Sequence, residues 1–579
     1  MLSYRKLAMR VLGHPLHTGG IDSPRPASQR AAAFILTAAM LTTLAAPAFA
    51  DIWHIENGDI TISAGESGNN VTQNNNTTYG DTNTVITNSD KDKASSNTVT
   101  IEAKDKDDKV EVTLKDVNID TSSRSEAAVS VTGEGNTNIE LDGDNALKSD
   151  IYSSGITSNG SLTITGGEND SLTAQGGSSA DGGSGSYGGD GIGSSSGGLT
   201  ISGGTVNAAG GSGSYGGSGI CSSSDDLTIS GGTVNAAGGS GSYGGSGIYS
   251  RGGLTISGGT VTANGGGDGS NVRSGSGITS NGGVTISGGT VNAAGGSGSY
   301  GGNGIYSRSS LTISGGTVNA TGRDGKDGYG GGGIWSGSGG LTISGGTVTA
   351  NGGNGGSGSY GGDGIGSIGG VAISGGTVTA NGGNGGNGGD GICSSGIDLS
   401  GSLELTAKAG SPSGRVLSQN GDELDLNTIK DKLGPGAKVT TTDANGKVNQ
   451  VSIPRPVESE KPVTPEESSS SSDGGSSAPS ASVSSLPGLT VTDKDGQRIS
   501  YTSTQSGNTL TVCVGRFTAS FRISLAALRQ LRAEGIETIT FQTILCSTTL
   551  SVDELLAMGG EDAEAVLTHR LTDSSLTVG

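Results

Sequence analysis

From Gly191 onward the chain repeats one apolar and polar pattern, first met cleanly as GIGSSSGGLTISGGTVNAAGG over 191–211. Leu199 and Ile201 alternate with Thr200 and Ser202, Gly203-Gly204 interrupts, and Val206 and Ala208 resume the alternation against Thr205 and Asn207. Period two is the signature of half-buried strands, so each unit predicts three short strands: around Ile192, over 199–202 and over 205–208. The Gly-Ile pair that opens a unit returns at Ile156, Ile192, Ile220, Ile248, Ile278, Ile305, Ile334, Ile365 and Ile392, about every 28 residues, which marks a repeat architecture. Three strands of this size cannot bury their apolar sides alone. Stacked unit on unit they form a parallel β-helix whose interior is a set of Ile, Leu, Val and Ala columns, with glycines at corners that need positive φ or close backbone approach.

The flanks follow a different pattern. Residues 51–150 lack the glycine repeat yet keep alternating segments at 59–63, 98–102, 110–114, 128–132 and 138–142, which predicts an N-terminal cap and irregular first coils, with Trp53 closing the open end. Residues 151–410 hold the glycine-rich coils, and 411–453 end the solenoid. Residues 454–485 turn to Pro, Ser and Glu with almost no apolar side chains and read as a disordered linker. From 486 to 579 a small α+β domain is expected, with a helix capped by Ser524 and ended by Gly535, and a second helix opening at Ser551. Residues 1–50 carry a basic start, an apolar run and a small-residue end at Ala48-Phe49-Ala50. That is the layout of a secretory leader cleaved before Asp51, and it places the mature protein outside the cell or at its surface with no membrane span.

The 113 glycines of the 579 residues admit a disordered tract as the rival reading, but such a tract has no reason to hold aliphatic residues in fixed alternation. A formal net charge of −21 opposes nucleic acid as a partner and suits an exported protein or one that recruits cations. With aromatics at 3% no large conventional core is available, which a thin aliphatic column does not need. All four histidines, His14, His17, His54 and His569, lie off the repeat, which leaves acid-base catalysis little to work with.

The corners Asp190-Gly-Ile192, Asp363-Gly-Ile365 and Asp390-Gly-Ile392, each followed by a strand pair of the Leu-Thr-Ile-Ser-Gly-Gly-Thr-Val type, together with the run 112–120, resemble the secreted carbohydrate-binding-domain proteins of the polygalacturonate-binding type. The resemblance spans roughly residues 55–410. It implies a right-handed parallel β-helix, calcium on the coils and affinity for acidic polysaccharide without catalysis. At most corners the Asp is replaced, by Ser218, Ser246, Ser276, Asn303 and Gly332, so a continuous ladder of calcium sites is not expected.

Two sets of residues stand out within the repeat. Asp363 and Asp390 take the same corner of adjacent coils, about 4.8 Å apart, where two carboxylates repel unless a cation such as Ca²⁺ bridges them; Asp190 is a weaker candidate. The position after each Gly-Ile points away from the core and carries Tyr249, Tyr306 and Trp335, with Arg251 and Arg308 two residues further along two of the same coils. Aromatic faces suit sugar rings and guanidinium groups suit uronate carboxylates, so this strip is the expected polysaccharide surface. A second column, Tyr187, Tyr215, Tyr243, Tyr300, Tyr329 and Tyr360, reads as tyrosines stacking on each other. The function expected is a non-catalytic carbohydrate-binding protein, the alternatives being a surface adhesin or spacer and a polysaccharide lyase. Cys221 and Cys393, six coils apart, should not pair, whereas Cys513 and Cys546 lie within the C-terminal domain, where a disulfide is open to them.

Overall fold

The structure is a computed structural model and describes residues 51–179, 185–267, 273–454, 488–492, 498–499, 501–506, 508–514, 518–543, 547–558, 563–569 and 574–578. The leader, the linker, Phe517 and Cys546 lie outside the described residues. The chain divides near Ser459 into two units.

The first unit is a parallel β-solenoid of about 14 turns. Each repeated coil contributes one strand to each of three long sheets. In the coil that opens at Gly191 these are Ile192–Ser194, Leu199–Ile201 and Thr205–Ala209, here the strands of sheets 1, 2 and 3. Register is strict because every coil repeats the pattern: Ile192 pairs with Ile220, Leu199 with Leu227 and Val206 with Val234. A one-residue slip would turn each aliphatic side chain out into water. The columns predicted as core are fully buried, from Ile156 through Ile392 on sheet 1 and from Val206 through Val378 on sheet 3.

Glycine serves two needs at the turn between sheets 2 and 3. The second glycine of each pair, such as Gly204, Gly232 and Gly316, has φ of 72°, 73° and 78°. The first glycine lies against the coil below: a Cβ on Gly315 would stand 2.4 Å from the carbonyl oxygen of Ser287. The expectation for the corners is met on both counts.

A polar column inside the coils was not foreseen. In the repeated coils from Ile156 to Ile392 the third residue of the sheet 1 strand is a serine, and Ser158, Ser222, Ser250, Ser280, Ser307 and Ser336 are completely buried. Their hydroxyls donate to carbonyls of the following turn, Ser222 to Asp225 at 2.7 Å, Ser250 to Gly253 at 2.9 Å and Ser336 to Gly340 at 2.7 Å. The carbonyls of Gly253 and Gly340 also accept the N–H of Leu227 and Leu311 from the preceding coil, so the serine adds a second hydrogen bond to them and has its own buried hydroxyl satisfied in return.

Both ends of the solenoid are closed by antiparallel pairing. Strands Ile60–Gly65, Gly68–Gln73 and Asn76–Asp81 form a meander at the start of sheet 1, and Trp53 packs on the core beside them with its indole N–H on Asp81 at 3.1 Å. At the far end Val448–Ser452 folds back on Lys438–Thr442 in sheet 3. Such returns put a reversed strand, in place of one more coil, at the end of the sheet.

Among the described residues the second unit has two four-stranded sheets and two helices, Leu525–Ala533 and Val552–Met558. The Ser524 side chain caps the first helix by accepting from the Ala527 N–H at 3.2 Å, as its sequence position predicts. The rings of Phe521 and Phe541 meet at a tilt, 4.9 Å apart, in its core.

Candidate functional site

On sheet 1 the pairing sets Cys221, Tyr249, Thr279, Tyr306, Trp335, Gly366 and Cys393 in one column, in the order the repeat predicts. Tyr249, Tyr306 and Trp335 come together as a strip about 14 Å long at the coil spacing. The column is less exposed than expected: the three aromatics are half-buried, and Cys221 and Gly366 are buried. The cause is local. The Trp335 ring lies against Gly366 of the next coil, where a Cβ would stand 2.3 Å from the indole Cε3, and the Tyr249 hydroxyl accepts from the Asn281 side chain at 2.8 Å. Each aromatic thus leans on its neighbours and keeps part of its surface in water. Arg251 and Arg308 stand exposed on the turns beyond Tyr249 and Tyr306. Neither makes an ion pair among the described residues.

The tyrosine column lies on the glycine-rich loops, with Tyr187, Tyr215 and Tyr243 stacked ring on ring at 4.8 Å. Arg273 takes the next register position, and Tyr300, Tyr329 and Tyr360 follow with tilted rings 5.9 and 5.7 Å apart. The stacked rings turn their faces to one another, which leaves edges and hydroxyls, not faces, toward solvent.

The corner carboxylates do something the sequence did not disclose. Each accepts a backbone N–H from the same corner of the following coil: Asp190 from Ser218 at 2.6 Å, Asp363 from Asp390 at 2.8 Å and Asp390 from Arg415 at 2.6 Å. Asn303 does the same for Gly332 at 2.6 Å, so the position asks for a side-chain oxygen and not for a charge. Burial pushes Asp190 up to about 6, and burial together with the Asp390 charge pushes Asp363 up to about 7. The residues retain some contact with water, which screens this effect. Burial, followed by the neighbouring carboxylates, also raises the thiols of Cys221 and Cys393 to about 12.

Calcium takes six to eight oxygen ligands. Asp363 and Asp390 each have one oxygen committed to a backbone N–H, and no cluster of three His, Cys, Asp or Glu side chains suited to a metal occurs among the described residues. The backbone N–H groups of Asp390 and Arg415 thus reach Asp363 and Asp390 and offset part of the repulsion between the two carboxylates.

Two further surfaces are visible only in the fold. On sheet 3 the outward positions of seven consecutive strands, from Thr205–Ala209 to Thr377–Asn381, are all Thr, Asn or Ala, and adjacent asparagines link as Asn235 to Asn207 at 2.8 Å. Ion pairs bound this uncharged face at its ends, Lys148 with Asp120 and Lys438 with Glu404. On the loop side a cavity of about 520 Å³ opens between three successive coils, lined by Ser297, Thr321, Arg323, Asp324, Lys326 and glycine backbone.

A family model described as a beta helix repeat matches residues 199–220, 227–248, 254–278, 284–305 and 311–333. Over these stretches the coils are similar to beta helix repeats. Each matched stretch runs from a sheet 2 strand through sheet 3 and the loop to the next Gly-Ile corner, the unit that the aliphatic alternation outlines. No curated protein and no solved structure matches the chain.

Proposed function

We propose that this protein is an exported, non-catalytic β-solenoid that binds an acidic polysaccharide along sheet 1. The observation that carries the reading is the in-register strip of Tyr249, Tyr306 and Trp335 with the unpaired Arg251 and Arg308 beside it. A strip of about 14 Å accommodates roughly three sugar rings laid along the axis. Aromatic surface and guanidinium groups together suit a uronate chain. Export is supported by the leader pattern of residues 1–50. The absence of catalysis is supported by the histidines, of which His54 lies at the N-terminal end of the solenoid and His569 in the second unit.

The test is a titration of Trp335 fluorescence with oligogalacturonides. A saturable change that Tyr306→Ala weakens and high salt reduces is the expected result. A flat titration by a protein of intact circular dichroism overturns the strip, and release of ultraviolet-absorbing unsaturated sugars overturns the non-catalytic reading in favour of a lyase.

A further inference from the structure

The repeat from Ser161 to Ser400 holds five basic residues, Arg251, Arg273, Arg308, Arg323 and Lys326, and two of them line one cavity. This cavity lies on the loop side, apart from the strip on sheet 1. Its walls are glycine backbone because the loops press together: a Cβ on Gly322 would stand 1.9 Å from the carbonyl oxygen of Gly331, and one on Gly353 would stand 2.1 Å from that of Arg323. Among the described residues, side chains enter from Ser297, Thr321, Arg323, Asp324 and Lys326.

The cationic side chains in this space outnumber the anionic ones. The Arg323 Nε donates to the Gly295 carbonyl at 3.3 Å, which fixes the guanidinium at the rim. Neither Arg323 nor Lys326 has an acidic partner within ion-pair distance among the described residues. The one acid present, Asp324, is already engaged by the Asn354 N–H at 2.6 Å. Two cations and one carboxylate leave the lining with a net charge of +1. Its free donors are the guanidinium fork, an ammonium and two hydroxyls.

We infer that this cavity is a binding site for a sulfate ester on a sugar. A sulfate ester carries one negative charge, which the net lining charge balances, and three terminal oxygens, which the fork, the ammonium and a hydroxyl satisfy. A carboxylate offers only two oxygens, and a phosphate monoester carries closer to two charges against the single net positive charge. A cavity of about 520 Å³ is within the range of small-ligand sites and admits the ester with the sugar that bears it. The site shares no residue with the strip on sheet 1 and would add a second point of attachment.

The experiment is ligand-observed NMR titration of the whole protein with galactose 6-sulfate, galactose 6-phosphate, galacturonate and galactose. Saturable binding of the sulfate, tighter than that of the other three, is expected. Arg323→Gln and Lys326→Gln should each weaken it at least fivefold, and Asp324→Asn should tighten it while keeping the Asn354 contact. Lys326 is exposed, so its variant gives a reading even where Arg323→Gln disturbs the loop. No saturable binding of the sulfate, equal binding by the wild type and both glutamine variants, or tighter binding of the phosphate or the uronate overturns the inference.

Discussion

Asp363→Asn should stabilise the solenoid above neutral pH and do nothing for it in acid. The Asp363 carboxyl is raised from 3.8 to about 7, first by burial and then by the charge of Asp390. A raised carboxyl binds its proton more tightly in the folded chain than in the unfolded one. Its contribution is therefore fully present below about pH 4, is lost as pH rises toward 7, and stays lost above that. Three units at 1.36 kcal/mol each set a ceiling of about 4 kcal/mol, and the water that still reaches this half-buried residue reduces it to roughly 1 to 2 kcal/mol. Asparagine keeps the oxygen that accepts the Asp390 N–H, as Asn303 does two coils earlier, and removes only the charge. The assay is amide exchange of the peptides covering 361–373 and 388–399, in wild type and variant, from pH 4 to 8. The variant should be protected more at pH 8, by a factor of about 5 to 30, and equally at pH 4. A variant less protected at pH 8, or a difference that does not change with pH, refutes the account. The same samples bear on calcium: if backbone donors satisfy these carboxylates, Ca²⁺ and EDTA should leave protection unchanged, and a calcium-dependent gain that Asp363→Asn abolishes would restore the bridging cation.

Two other outcomes follow from the coil geometry. Ile334 is fully buried between Ile305 and Ile365, so Ile334→Ala should cost about 2 to 5 kcal/mol; because each coil touches only its neighbours, amide exchange should rise in the adjacent coils and leave residues 99–142 as they were, and a uniform rise along the solenoid would contradict the picture. Cys221 and Cys393, both raised to about 12, should alkylate with iodoacetamide at pH 8 orders of magnitude more slowly than in the denatured chain, with no 221 to 393 disulfide on mass mapping; alkylation at the denatured rate would show that the thiols are not shielded.

The aliphatic alternation determined the solenoid by itself. Columns such as Ile192 with Ile220 and Val206 with Val234 need only local patterning and a constant period, because register is the single arrangement that keeps every column inside. The glycine corners were legible for the same reason, since positive φ and backbone contact are demands made within one turn and its neighbour. The order of Tyr249, Tyr306 and Trp335 in one strip followed from the period too. Their half-burial did not: it depends on Gly366 offering bare backbone to the Trp335 ring and on Asn281 reaching Tyr249, contacts between coils that no single repeat displays. The buried serine column belongs to the same class, because its partners are the carbonyls of turns whose path only the closed coil fixes. For the corner aspartates, sequence reveals charge and spacing but not the direction of the backbone N–H that each carboxylate accepts. Arg323 and Lys326 could be assigned to one loop from the sequence. That this loop and those of the two neighbouring coils enclose a cavity with unpaired donors was decided by the stacking of glycine backbones, a property of three coils together.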